Sequence, residues 1–246
     1  MLEAMNAAVS SSPFIAQDCD SYTAEDHDVW SVLYARRMSD LEQNGSRLFL
    51  EGANAIGLRP DSVPDLREVN RLLAQRTGWC ATPVSGFLAP RQFFDCLALR
   101  RFPTTVKVRP RAQLDYLPEP DIFHDVFGHV PLHADAAFAN FLQRFGEIAA
   151  TSATPSVVER MARLFWFTVE FGLIREAGRT KVYGSGLISS AGDCANALSD
   201  QCDRRPFSLA AVMAQPYVID RLQDVLFVVD SFEQLFEALD AAAAFS

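Results

Sequence analysis

The sequence predicts a mostly α-helical protein with a small β-sheet, on three grounds. Apolar residues recur at the three- and four-residue spacing of amphipathic helices through much of the chain. Capping and stop residues bracket those stretches. Only a few short segments read as strands, and no repeat or low-complexity linker divides the chain.

Taken in order, residues 1–22 are rich in Ala, Ser and small polar residues without a period, and are expected to be disordered. Residues 23–246 are expected to form a single domain. Thr23-Ala-Glu-Asp26 reads as a capping box, opening a helix through Trp30, Leu33, Tyr34 and Met38. A second helix is expected over Leu48 to Ile56, stopped by Gly57. A third runs from Pro64 to Gln75 with Leu66, Val69, Leu72 and Leu73 on one face. Arg91 to Leu99 follows, opened by Pro90 and closed before Pro103. Thr104 to Val108 alternates and is β-branched, so it reads as a strand. Helices are expected around Asp121 to His129 and over Ala134 to Ala150. Ser156-Val-Val-Glu159 reads as a second capping box, starting an apolar helix to about Glu176 that Gly178 ends. Tyr217 to Asp220 and Leu226 to Val229 are strand candidates, and Ser231 caps a final helix.

At 246 residues the chain can bury a sizeable core, and 49% hydrophobic with 22% charged residues is the balance of a globular enzyme. A net charge of −9 disfavours nucleic acid and anionic membranes as partners. No apolar run is long enough to span a bilayer. The start, MLEAMNAAVSSSPF, lacks the basic residues of a secretory signal, so a cytoplasmic protein is expected. Five scattered cysteines without a CxxC suggest free, mostly buried thiols.

Of four histidines, three fall within ten residues. Two of them, five residues apart, lie in Pro120-Asp-Ile-Phe-His124-Asp-Val-Phe-Gly-His129-Val-Pro131. On an ideal helix, residues i and i+5 point about 140° apart and could not share a metal. Gly128 loosens the last turn and Pro131 pushes Val130 toward an extended shape, so the helix should end at His129 and let that ring swing back. The best third ligand is Glu170, the only charge in Leu164-Phe-Trp-Phe-Thr-Val-Glu170-Phe-Gly-Leu-Ile174, because a buried carboxylate is costly unless paired or metal-bound. Two His and one carboxylate with open positions form the facial triad of non-haem Fe(II) oxygenases. Spacing leaves Asp121, Asp125 and Asp135 as rival carboxylates, and leaves a purely structural role for the histidines open.

The segment Leu114-Asp-Tyr-Leu-Pro-Glu-Pro-Asp-Ile-Phe-His124-Asp-Val-Phe-Gly-His129-Val-Pro-Leu132 resembles the iron-binding signature of the aromatic amino acid hydroxylases. Phe165-Trp-Phe-Thr-Val-Glu170-Phe-Gly-Leu173 is similar to the segment bearing their carboxylate ligand, and Tyr183-Gly-Ser-Gly-Leu-Ile-Ser189-Ser190 to a third family segment. The likeness runs from Tyr22-Thr-Ala-Glu-Asp-His27 to Phe227-Val-Val-Asp-Ser-Phe-Glu-Gln-Leu-Phe236, and is strongest to bacterial members acting on phenylalanine.

The resemblance implies the family's catalytic-domain fold, Fe(II), dioxygen and tetrahydrobiopterin or a related tetrahydropterin, with L-phenylalanine as substrate and L-tyrosine as product. His124, His129 and Glu170 would hold iron. Arg109 would clamp the substrate carboxylate, a job suited to a planar guanidinium, assisted by Ser189. Trp166, Phe171, Pro120 and Ile219 would line the ring pocket. Phe93 would stack on the pterin, with Gly86, Phe87, Leu88, Asp125 and Ala162 completing its site. Without the resemblance, Arg109 reads as a surface arginine and the aromatic residues as core. Leu117, Asp125 and Phe165 depart from residues common in other members, leaving details of the pterin and substrate contacts open. No regulatory domain or tetramerising tail is seen, so a monomer is expected. The alternatives are a tryptophan or tyrosine hydroxylase, or a phenylalanine 3-hydroxylase, of the same family. From other classes come a metal-dependent hydrolase, for which no HExxH is present, and an inactive binding protein, which would be expected to lose a ligand.

Overall fold

The computed structural model describes residues 12–115, 119–151, 155–219 and 221–243. Helix α1 (Ala24–Asn44) starts at the expected capping box, with Asp26 N donating to Thr23 Oγ1 and Thr23 N to the Asp26 carboxylate. Helix α2 (Arg47–Ala55) is capped by Ser46, and Gly57 beyond it takes a φ of +70°. Helix α3 (Leu66–Arg76) begins at its Asp65 cap rather than at Pro64.

Residues 12–22 correct the expectation of disorder; residues 1–11 lie outside the described residues. Ile15 N donates to Pro83 O, Leu66 N donates to Gln17 Oε1 at 2.8 Å, and Tyr22 OH donates to Val106 O at 2.7 Å. Each partner is distant in sequence, so no local pattern could announce these bonds.

Strand β1 (Cys80–Val84), helix α4 (Pro90–Ala98) and strand β2 (Arg101–Thr105) form a βαβ unit whose two strands pair in parallel. The strand expected at Thr104 to Val108 therefore lies three residues earlier. Its apolar partner β1 decides the register, and Pro83 and Pro103 are tolerated because both strands are edges.

The helix expected to reach Glu176 stops sooner. Helix α6 (Pro155–Phe165) widens into a π-turn, Trp166–Glu170, closed by a bond from Phe171 N to Trp166 O. Ser156 lies inside this helix rather than capping it. Strands β3 (Leu173–Glu176) and β4 (Arg179–Val182) follow as an antiparallel hairpin. Its two-residue turn puts Ala177 at φ +49° and Gly178 at φ +77°, so Gly178 serves a hairpin rather than a helix end. After helices α7 (Ser185–Ser189) and α8 (Ala191–Leu198) come β5 (Asp203–Pro206), α9 (Leu209–Ala214), β6 (Val225–Val229) and α10 (Glu233–Ala243). The second sheet has the order β4-β3-β6-β5. Tyr217 to Ile219 is irregular rather than a strand, and residue 220 lies outside the described residues.

Phe123–His129 forms a second π-helical segment, continued by a 3-10 turn over Val130–Ala134 and then helix α5 (Ala136–Thr151). Phe123 and Phe127 stack at 4.5 Å on its inner side. Trp30 meets Phe123 edge-on at 5.3 Å, and Tyr34 and Phe49 each meet Phe127 at 5.4 Å. Such aromatic contacts add about 0.5–1.5 kcal/mol each beyond burial. They pin the segment's rear face, and α5 and α6 cover the remaining core. No described helix is long and apolar enough to cross a membrane.

Candidate metal centre and adjoining cleft

His124 and His129 converge by a different route from the one spacing suggested. The helix does not end at His129, and Val130 keeps helical angles (φ −63°, ψ −32°) despite the proline that follows. Instead the segment is wound as a π-helix, in which residues five apart bond and lie one above the other. The i, i+5 spacing that an α-helix would splay is therefore the spacing that brings the two rings to 5.0 Å. Gly128 is needed for approach rather than looseness: a Cβ there would sit 3.0 Å from Ser185 O of α7.

Glu170, at the end of the other π-turn, completes the cluster. Its Oε1 lies 3.1 Å from His129 Nε2 and its Oε2 3.7 Å from His124 Nε2. One potential ligand atom from each residue lies within 4.8 Å of the others, the one such His/Cys/Asp/Glu group among the described residues. The rival carboxylates have other work. Asp121 is bidentate on Arg109, Asp125 accepts from Thr105 N and Oγ1 at 2.7 Å each, and Asp135 caps α5 by accepting from Phe138 N. Asp121 and Asp125 are also buried.

The surroundings orient the donors. Ser189 Oγ donates to Ser185 O at 2.8 Å, so it accepts from His124 Nδ1 at 2.9 Å, leaving the His124 Nε2 lone pair for the centre. Ser185 Oγ donates to Glu170 Oε2 at 2.7 Å. His129 is packed on Phe102 at 4.6 Å, and its Nδ1 is buried without a partner among the described residues. Burial would push the Glu170 carboxyl up, but the two facing imidazoles and the Ser185 hydroxyl outweigh it and hold it at about 2. No Lys or Arg among the described residues pairs with Glu170. A divalent cation would supply a positive charge there, and the nitrogen and oxygen donors suit iron.

A cleft opens beside the cluster, lined among others by Gly86, Phe87, Leu88, Phe93, Pro120, Asp125 and all three ligands. It lies where β1 and β2 end, the position at which parallel strands commonly receive ligands. The cleft is shallow and open to solvent, with a cavity volume of about 170 Å³. Phe93 is both wall and core, packing edge-on against Phe102 and Phe165. Burial pushes the Asp125 carboxyl up against the pull of His124, Thr105 and His129.

Other expected residues stand apart. Arg109 Nε and Nη2 are each 2.8 Å from Asp121, whose Oδ1 also accepts from His124 N; among the described residues, the second edge of the guanidinium donates only to Leu114 O at 3.3 Å. Trp166 is stacked between Phe171 (4.7 Å) and Tyr217 (4.6 Å), and its indole N–H donates to Gln223. Neither Trp166 nor Phe171 lines the cleft, nor does the half-buried Ala162. Ile219 is 77% exposed on the 215–224 loop, away from the cleft. Leu117 lies outside the described residues. Sequence reasoning missed Ser185, the pairing roles of Asp121 and Thr105, and Gln223. Only Ser185 had a signal, its place in the Tyr183–Ser190 segment.

A family model described as biopterin-dependent aromatic amino acid hydroxylase matches residues 17–244. The phenylalanine-4-hydroxylase of Chromobacterium violaceum is 40% identical over 225 residues, covering 91% of this chain and 76% of that protein. A crystal structure of that organism's phenylalanine hydroxylase with iron(III) and oxidised 7,8-dihydrobiopterin superposes with a TM-score of 0.90 at 40% identity, covering 95% of this chain and 85% of that one. A second, with iron and phenylalanine bound, gives 0.89 at 36% identity, covering 96% and 88%.

Proposed function

The chain belongs to the biopterin-dependent aromatic amino acid hydroxylases, and from that membership we propose that it is a non-haem Fe(II), tetrahydropterin-dependent monooxygenase converting L-phenylalanine and O2 to L-tyrosine. The observation that carries this is the convergence of His124, His129 and Glu170 at the edge of an open, partly aromatic cleft. A facial set of three protein ligands leaves positions free for small molecules.

Iron bound there, together with a reduced pterin, supplies the electrons that activate dioxygen. The protein's part is to bind, orient and exclude water. Ser189 fixes the His124 ring and Ser185 one Glu170 oxygen, so the ligands need little reorganisation. Phe93 offers a ring face to the pterin, Gly86, Phe87 and Leu88 offer backbone, and Asp125 faces the same space. Arg109 receives the amino acid's carboxylate on the guanidinium edge that Asp121 leaves free. Trp166, Phe171, Pro120 and Ile219 are assigned to the substrate ring. The same reading takes the protein as a cytoplasmic monomer of 27.3 kDa; a tetramer by light scattering at all concentrations would contradict it.

The test is product analysis with phenylalanine, Fe(II), O2 and a tetrahydropterin. Para-tyrosine is expected, with turnover lost when the pterin is omitted. Turnover driven by 2-oxoglutarate without pterin would refute the reading, and meta-tyrosine as main product would change the ring position assigned.

A further inference from the structure

We propose that Arg37, on α1 and far from the cleft in sequence, is a positioning residue for the metal centre, acting through helix α7. This inference rests on the assignment of His124, His129 and Glu170 as metal ligands.

Arg37 is a charged side chain only 3% exposed. Its Nε donates to Ile188 O at 2.7 Å, its Nη2 to Leu187 O at 3.1 Å and its Nη1 to Asp40 Oδ2 at 2.9 Å. The two carbonyls belong to the last turn of α7, where helical oxygens lack partners and the dipole favours a cation. Asp40 is held in turn by Asn44 Nδ2 at 2.7 Å and by the Cys194 thiol of α8 at 3.4 Å. One guanidinium thus ties α1 to the α7–α8 segment.

That segment carries both hydroxyls that touch the ligands. Ser185 opens α7 and donates to Glu170; Ser189 closes it and bonds to His124. A five-residue helix has no stability of its own. Its orientation comes from what grips its ends, and Arg37 grips the carbonyls of the two residues immediately before Ser189. If that grip is lost, α7 can turn by a fraction of a turn, and both serines move together relative to the ligands.

The experiment titrates Co(II) into metal-free full-length protein, reading the dissociation constant and the visible absorption of the bound ion, with thermal melts alongside. The variants are Arg37→Met, which removes all donors, and Arg37→Lys, which keeps the charge but loses the fork. Leu41→Ala on the same helix is the control, since Leu41 is a fully buried core residue. Arg37→Met is expected to weaken Co(II) binding by about ten-fold, the lower end of the range for residues that orient ligands, and to shift the absorption bands. Arg37→Lys should fall between, and carries the test alone if the Met variant does not fold. Leu41→Ala should lower the melting temperature while leaving affinity and spectrum intact. Folded Arg37 variants with unchanged Co(II) affinity and spectrum would overturn the proposal, leaving Arg37 as a stability residue. Failure of the unmodified protein to bind Co(II) would instead overturn the metal assignment itself.

Discussion

Glu170, partly buried, and His133, fully buried, show how two titratable groups in one small region come to different ends. Glu170 faces two imidazoles and a hydroxyl. Glu170→Gln keeps its shape but removes its charge, and metal titration should show iron affinity falling by at least ten-fold; undiminished binding would mean that another group is the third ligand. His133, 1% exposed, sits among Trp79 (4.6 Å), Phe102 (5.0 Å) and Phe138 (6.0 Å), with neither ring nitrogen hydrogen-bonded among the described residues. Burial and the nearby His129 push its pKa down to about 3, against 6.5 when unperturbed. Between those values the unfolded chain binds the proton and the folded one does not. Stability is therefore intact above pH 6.5 and is lost as pH falls toward 3, by about 2 kcal/mol at pH 5. His133→Phe should flatten this slope in denaturant melts at pH 5 and 7.5; an identical slope would show that His133 is not its source. Arg109→Lys cannot keep both Asp121 bonds and offer a planar edge to substrate. Its half-saturation for phenylalanine should rise by a factor worth about 2 kcal/mol, near thirty-fold, and an unchanged value would remove Arg109 from the substrate site.

At the scale of elements, the ligands sit on departures from regular helix. Both π-turns leave a widened ring of backbone, and both end on a ligand, His129 in one and Glu170 in the other. The hairpin after Glu170 has a weak point, because Ala177 is held at φ +49°, where a Cβ is unfavourable. Ala177→Gly should stabilise the protein by about 0.5–1 kcal/mol without altering metal affinity. A lower urea midpoint would mean that the Ala177 side chain does more than fit the turn. Short α7 is the opposite case, since its orientation is supplied almost wholly by its neighbours.

For the molecule as a whole, the centre joins segments from separate parts of the chain, so metal occupancy should be linked to global stability. Fe(II) or Co(II) at a hundred-fold excess over its dissociation constant should add about 2.7 kcal/mol, reversed by chelation and cut to about 1.4 kcal/mol or less in Glu170→Gln at the same metal concentration. A melting temperature indifferent to metal would show the site loosely coupled to folding. Substrate choice is also a property of the assembly. With the substrate ring placed as proposed against Trp166 and Phe171, an unpaired phenolic hydroxyl would cost roughly 1–3 kcal/mol. Phenylalanine should therefore exceed tyrosine about ten-fold or more in kcat/KM, and equal rates would show that the pocket supplies a polar partner.

The sequence by itself determined what local rules can determine. Capping at Thr23, the stops at Gly57 and Pro103, and most helix spans follow from residues within a turn or two. The ligand types were legible for a related reason, since one carboxylate in an apolar run and two close histidines are chemically conspicuous. Tertiary structure alone decided the rest. Whether five-residue spacing splays or aligns His124 and His129 depends on a π-helix held by Trp30, Tyr34 and Phe49 behind it. Strand β2 took its register from β1 rather than from its own alternation, and residues 12–22 took their order from partners as far away as Val106. Asp121 and Asp125 were rival ligands on spacing alone, and only the fold brings Arg109 and Thr105 to them in the interior. Pairing across long separations is set by packing of the whole core, and no window of sequence carries it.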